Sequence, residues 1–264
     1  MRIASLGSGS EGNALLIESS DGIRVTRVLV DCGFGRREAE RRLRAAGVEP
    51  GRLDAILVTH EHADHIGGVF RLARAHGIAV HLTHGTLRAA APMVAAAGEV
   101  ESLLRVFDSH AHFDCAGLRI EPVPVPHDAR EPVQYVIDDG RRRLGVLTDL
   151  GQGTPHVLRA LARLDALVLE CNHDGQLLAD NPRYPPALKR RIAGPWGHLD
   201  NREAARILAS IDRSRLRTVV AAHLSRHNNR PELAREALAS ALEPGADEMI
   251  SVADQDRGID WIAV

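Results

Sequence analysis

The sequence predicts a layered α/β chain, on three observations. Short apolar runs of strand character recur in both halves, helical patterns lie between some of them, and 264 residues at 44% hydrophobic can bury a large core. The strand-like runs are 2–6, 14–18, 27–30, 55–59, 79–82, 118–125, 133–137, 144–148, 166–170 and 218–222. Helical periodicity marks 37–46, 64–75, 155–164, 202–211 and 231–242. The first half is rich in successive strands and the second alternates strand with helix. No repeat or Pro/Gly/Ser linker divides the chain, so 1–264 is expected to be one domain.

Composition excludes several classes of function. Lys+Arg 33 against Asp+Glu 35 leaves a net charge of −2, so this is neither a basic nucleic-acid coat nor an acidic tail. Aromatic residues are only 3%, which argues against extensive stacking platforms. Three scattered cysteines, Cys32, Cys115 and Cys171, make no disulfide framework and point to a reducing, cytoplasmic setting. Neither a signal peptide nor a membrane span is expected. His 14 is the unusual figure.

One motif is a decoy. Gly7-Ser8-Gly9-Ser10-Glu11-Gly12 matches the dinucleotide-binding pattern, and Asp31 follows at about the expected distance. That site needs a helix after the last glycine to hold the pyrophosphate. Asn13-Ala14-Leu15-Leu16-Ile17-Glu18 reads as a strand instead, so the loop is a tight turn that lies, at most, at the edge of an active site.

The informative segment is His60-Glu61-His62-Ala63-Asp64-His65, directly after the apolar run ending at Thr59. In extended chain, His60 and His62 point the same way. Asp64 sits where a helix should begin, and His65 follows it. For a lone His-x-His, a polar loop with an Asp helix cap would be the better reading. Four ligand-type side chains within six residues favour a metal, with imidazole and carboxylate suiting zinc, manganese or iron. Four exceed what one catalytic ion with an open position needs, so two ions fit better.

His60-x-His62-x-Asp64-His65 resembles the signature of the metallo-β-lactamase superfamily, and Asp31 resembles the Asp that braces its metal loop. The likeness extends through Pro126-His127-Asp128, Leu147-Thr148-Asp149, Glu170-Cys171-Asn172-His173-Asp174, Lys189-Arg190-Arg191-Ile192, Gly197-His198-Leu199-Asp200-Asn201 and Ala222-His223-Leu224-Ser225. These are similar to the YycJ/WalJ branch, related to RNase Z and PhnP-type phosphodiesterases and described as DNA exonucleases. The resemblance implies a four-layer αββα sandwich with two divalent ions, zinc first and manganese second. It assigns His60, His62 and His127 to one ion, Asp64, His65 and His223 to the other, and Asp149 as the bridge. His127, Asp149 and His223 each lie just past an apolar run, where functional loops gather. Asp64 would orient the attacking hydroxide or take its proton. His198, and less directly His173, would act at the phosphate.

Ser225, Asn228 and Asn229 follow a ligand closely and are candidates for phosphate contact, as is the run Lys189-Arg190-Arg191. The expected activity is phosphodiester hydrolysis, with DNA ahead of RNA as partner. The alternative is a hydrolase of the same fold acting on thioesters, lactones or small phosphodiesters. Two features argue against a lactamase that uses Cys as a ligand, namely the position of His65 and Asp149 standing where that Cys would be. A di-iron redox site would carry Glu at position 62, and a Z-type ribonuclease would carry a protruding arm that is not seen here.

Overall fold

The computed structural model describes Met1–Val264. The first half runs β1 (Arg2–Gly7), β2 (Ala14–Ser20), β3 (Val25–Val30), α1 (Arg36–Ala45), β4 (Ala55–Leu57), α2 (Ala63–Ile66), α3 (Val69–His76), β5 (Ala79–Thr83), α4 (His84–Ala89), α5 (Ala91–Ala97) and β6 (Leu104–Phe107). The second runs β7 (Phe113–Cys115), β8 (Leu118–Pro124), β9 (Val133–Asp138), β10 (Arg143–Leu147), α6 (Pro155–Ala160), β11 (Ala166–Glu170), α7 (Gly175–Asp180), α8 (Pro186–Ile192), α9 (Asn201–Ser210), β12 (Thr218–Ala222), α10 (Pro231–Ala239), β13 (Ile250–Val252) and β14 (Ile259–Ala263).

Two seven-stranded sheets result, ordered β14-β1-β2-β3-β4-β5-β6 and β13-β12-β11-β10-β9-β8-β7. Each pairs antiparallel over one half and parallel over the other; the parallel runs are β3 to β6 and β10 to β13. Strand alternation then sorts the apolar side chains into three layers. Ala55 and Leu57 of β4, with Ala166 and Val168 of β11, face the core between the sheets. Ile56 and Val58 turn outward to meet Leu43 of α1 and Leu72 of α3. Leu167 and Leu169 turn outward to meet Ile207 and Leu208 of α9 and Leu238 of α10. Helix, sheet, sheet, helix is the αββα sandwich that the resemblance implied.

Local chemistry sets the helix ends. Asp200 caps α9 by accepting from the Glu203 N–H at 2.6 Å, and α3 stops at Gly77 in the left-handed region, φ 67°. The helix expected over 64–75 is broken into α2 and α3. Gly67 and Gly68 intervene because the chain after β3 passes too close for a side chain. A Cβ on Gly68 would lie 1.8 Å from the Phe34 carbonyl oxygen, and one on Gly33 would lie 1.9 Å from that of Asp64. All three cysteines are free and buried. No helix is long and apolar enough to cross a membrane.

Gly68→Ala should therefore force the histidine loop away from the 32–34 segment. We expect a loss of about 1–3 kcal/mol in stability and a lower metal content after reconstitution, read by thermal unfolding and elemental analysis.

Candidate metal centre

The site lies at the C-terminal ends of the parallel strands. Asp31 follows β3, His60 and His62 follow β4, Asp149 follows β10, Glu170 ends β11, and His223 follows β12. His127 joins them from the loop after β8. Three of these residues turn the chain through a left-handed conformation: Asp31 (φ 60°), Asp149 (φ 57°) and His223 (φ 57°). Each turn costs about 1–2 kcal/mol for a residue other than glycine, and such strain gathers where side chains must be aimed.

The donor atoms meet in groups. His60, His62 and His127 form one set with ligand atoms within 4.8 Å of one another, and Asp64, His65 and His223 form a second. Asp149 groups with His60 and His65 on one side and with Glu170, His198 and His223 on the other. Thus the structure brings all seven expected ligands together. Two buried atoms point to an ion rather than to a hydrogen-bonded network. His60 Nε2 has no hydrogen-bond partner, and Asp149 Oδ2, although 2.8 Å from His65 Nε2, is not aligned with it as a hydrogen bond. Unsatisfied buried polar atoms of this kind are rare in proteins, and a borderline cation accepts imidazole and carboxylate together.

Surrounding groups hold the rings in place. Asp31 accepts from the Thr59 N–H (2.8 Å), the Thr59 hydroxyl (2.7 Å) and His65 Nδ1 (2.8 Å). Thr59 Oγ1 in turn accepts from His60 Nδ1 at 3.0 Å. His127 Nδ1 donates to the Gly197 carbonyl at 3.0 Å. The glycine-rich turn after β1 is part of this bracing. The Asn13 N–H donates to the Asp64 carbonyl at 2.8 Å, and Ser8 Oγ accepts the His223 N–H at 2.8 Å.

Glu170 is the functional residue that sequence reasoning passed over. It is fully buried, with Oε1 accepting from His198 Nδ1 (2.8 Å) and His223 Nδ1 (3.1 Å) and Oε2 accepting from the Leu150 N–H (3.0 Å). Its signal was available, since a carboxylate ending an otherwise apolar strand has to be paired.

These pairings set the charge states. Burial opposes ionising Glu170, but the neighbouring His198 outweighs it and brings the carboxyl down to about 2. Burial likewise works against charging His65, yet Asp149 and Asp31 hold its pKa well above the usual imidazole value. Burial and Glu170 compete in the same way at His198, which is also raised. His223, buried but facing Asp149, is raised to about 9. Burial lowers His60 and His127. Hydrogen bonds from His223 and His65 keep Asp64 ionised against its burial.

A cleft of about 230 Å³ opens beside the donors, lined by His62, Asp64, Asp149, His223 and His198, with Ser10, Asp128 and Arg191 on its walls. His198 lines it with its ring about a quarter exposed. His173 does not reach it. That residue is buried, enters no donor group, and holds the 198–201 segment through its carbonyl, which accepts the Asn201 N–H at 2.9 Å. Ser225, Asn228 and Asn229 are not on the cleft either, because the fold uses their polar groups itself. Ser225 Oγ accepts from Asn228 Nδ2 (3.3 Å), Asn228 Oδ1 accepts from Asn181 (2.6 Å), and Asn229 exchanges amide hydrogen bonds with Asn201 (2.8 and 2.9 Å). Arg191 is the expected cation that does stand at the wall, 2.6 Å from Asp128. The other seven histidines, at 76, 81, 84, 110, 112, 156 and 227, join no donor group.

The family described as "Beta-lactamase superfamily domain" matches residues 26–223, which carry every donor named above. The chain belongs to the beta-lactamase superfamily. Within the superfamily it is 32% identical over 255 residues to the "Exodeoxyribonuclease YycJ" of Bacillus anthracis, covering 95% of this chain and 94% of that protein. It is 31% identical over 237 residues to the "Exodeoxyribonuclease WalJ" of Streptococcus pneumoniae, covering 90% and 86%. Among solved structures, the metallo-beta-lactamase fold protein YhfI from Bacillus subtilis superposes with a TM-score of 0.73 at 17% identity over 99% of each chain, and so shares the superfamily fold.

A cation held by His65 and His223 would have to displace protons from them, since their metal-free pKa values are raised. Below about pH 9 His223 is protonated and competes with the cation; above it the competition ends. Zinc affinity should thus climb as pH rises towards 9, with proton release measurable in buffers of different ionisation enthalpy by calorimetry. An affinity flat from pH 6 upwards (roughly the unperturbed imidazole range) would contradict this.

Proposed function

We propose that this protein is a dinuclear metal-dependent phosphodiesterase that degrades DNA from an end. The observation that carries the reading is the pair of three-donor sets, sharing Asp149, beside an open cleft that also holds His198. The relatives named exodeoxyribonuclease, matched along nearly the whole chain, support DNA as the substrate. His60, His62 and His127 would hold one ion and Asp64, His65 and His223 the other, with Asp149 available to both. The nitrogen and oxygen donors favour zinc and also accept manganese. Bound there, divalent ions would supply Lewis acidity and a nucleophile available at neutral pH.

The chain's own groups do the rest. Asp64, ionised and on the cleft wall, orients the attacking water and accepts its proton. His198 is the proton donor. Glu170 holds its Nδ1 and keeps the ring protonated, leaving Nε2 for the leaving oxygen of the scissile ester. Because Glu170 also grips His223, the acid and the ligand are set by one carboxylate. His173 supports the backbone that carries His198.

Asp149→Ala should abolish metal-dependent hydrolysis of bis(p-nitrophenyl) phosphate while the fold survives; full activity would remove the bridging role. His198→Ala should keep its metal but lose about 10²–10⁴-fold on DNA. It should lose far less on the nitrophenyl ester, whose leaving group needs no proton. Equal losses on both substrates would remove the proton-donor role.

A further inference from the structure

The wall of the cleft that carries His198 continues into a segment whose composition stands apart from the chain. Residues 181–199 contain Arg183, Lys189, Arg190 and Arg191 and no Asp or Glu, in a protein of net charge −2. Within it, α8 buries none of its side chains. Its Leu188, Arg191 and Ile192 line the cleft, while Arg183 and Arg190 are exposed and enter no ion pair. Four residues after α8 stands Trp196, 61% exposed and the only aromatic among the exposed large apolar side chains. An indole left in water exposes a large apolar face that the fold has not covered.

The backbone under this indole is rigid and tied to the metal centre. The His198 N–H donates to the Ile192 carbonyl (2.8 Å) and the Gly197 N–H to that of Gly194 (2.9 Å). Gly197 passes so close to α8 that a Cβ there would lie 2.2 Å from two of its carbonyl oxygens, and its own carbonyl accepts from His127 Nδ1. Trp196 is therefore one Cα step, about 3.8 Å, from a residue of the cleft wall and two from His198. A long side chain such as an indole spans the sugar that separates a phosphate from its base, and base–aromatic stacking is indifferent to sequence.

We propose that Trp196 and the basic segment before it form a strand-binding rim, in which the indole stacks on the nucleobase flanking the phosphodiester in the cleft and Arg191, the cation on the cleft face of α8, holds an adjacent phosphate. The proposal rests on the phosphodiesterase reading and adds the subsite that grips the nucleic acid. It explains how a chain with few aromatics and no net positive charge holds an anionic strand, by concentrating both features at one edge of the active site.

The test uses Trp261→Phe, which leaves Trp196 as the single tryptophan. A short phosphorothioate oligothymidylate is titrated into the metal-loaded protein while indole fluorescence is followed. Saturable quenching is expected, and it should vanish when the end nucleotide is abasic. On cleavable oligonucleotide, Trp196→Ala should raise KM about tenfold with kcat moving much less, Trp196→Phe should recover most of that loss, and the abasic oligonucleotide should show no further loss. Arg191→Ala should lower the slope of log affinity against log salt by about one. No quenching, or an unchanged KM in Trp196→Ala, would overturn the rim. So would concentration-dependent self-association that perturbs Trp196 without oligonucleotide, since the patch would then serve a second copy. Quenching needs no turnover, so the two readings separate. An inactive protein that quenches keeps the rim and loses the hydrolase, whereas an active one that does not quench keeps the hydrolase and loses the rim.

Discussion

Four carboxylates, Asp31, Asp64, Asp149 and Glu170, are held around one point, three of them fully buried and Asp64 on the cleft wall. Removing such charges from water costs several kcal/mol each unless opposite charge is close by. The surrounding structure follows from this requirement. In the metal-free protein the countercharge is protons on His65, His198 and His223. Divalent cations can take the place of the protons on His65 and His223, with the same carboxylates facing them. The imidazoles are pre-set for the exchange. His60, His65, His127 and His223 each give Nδ1 to a fixed partner and leave Nε2 towards the centre. Partners at the outer nitrogen orient ligating histidines and raise their basicity.

The fold meets this requirement with rigid backbone. Parallel strands deliver donors at one edge, but a strand's own direction would carry the chain past the centre. Left-handed turns at Asp31, Asp149 and His223 redirect it within one or two residues of a strand end. Glycines at 33 and 68 then let the loop after β3 pack against the histidine segment at backbone contact distance. The strain is tolerable because cores on both faces of each sheet anchor the strands behind it.

What could be read in the sequence divides along physical lines. The ten apolar runs are the interior strands, most of which are buried along nearly their whole length and so carry mainly apolar side chains. The four strands left unread, β6, β7, β13 and β14, are the four edges of the two sheets. Leu-Arg-Val-Phe and Ile-Asp-Trp-Ile-Ala are half solvated, so their patterns are diluted. The histidine cluster was legible because its spacing is local. Glu170 was not, because its importance lies in two partners 28 and 53 positions away. Ser225, Asn228 and Asn229 look like free donors beside a ligand, yet buried polar groups must be satisfied first, and theirs are spent on Asn181, Asn201 and one another.

Chemistry and selection therefore rest on different kinds of structure. The donors sit on strand ends whose packing admits little variation, since moving one ring would leave a carboxylate unpaired. The basic segment around α8 buries none of its helix's side chains and presents Arg183 and Arg190 free of partners. Changes there alter what is held in the cleft without disturbing the countercharge balance beneath it. A superfamily fold can in this way keep one hydrolytic centre and redirect it by altering the rim. In this chain that rim is cationic and carries an exposed indole, features that suit a polyanion with stackable bases better than a small neutral ester.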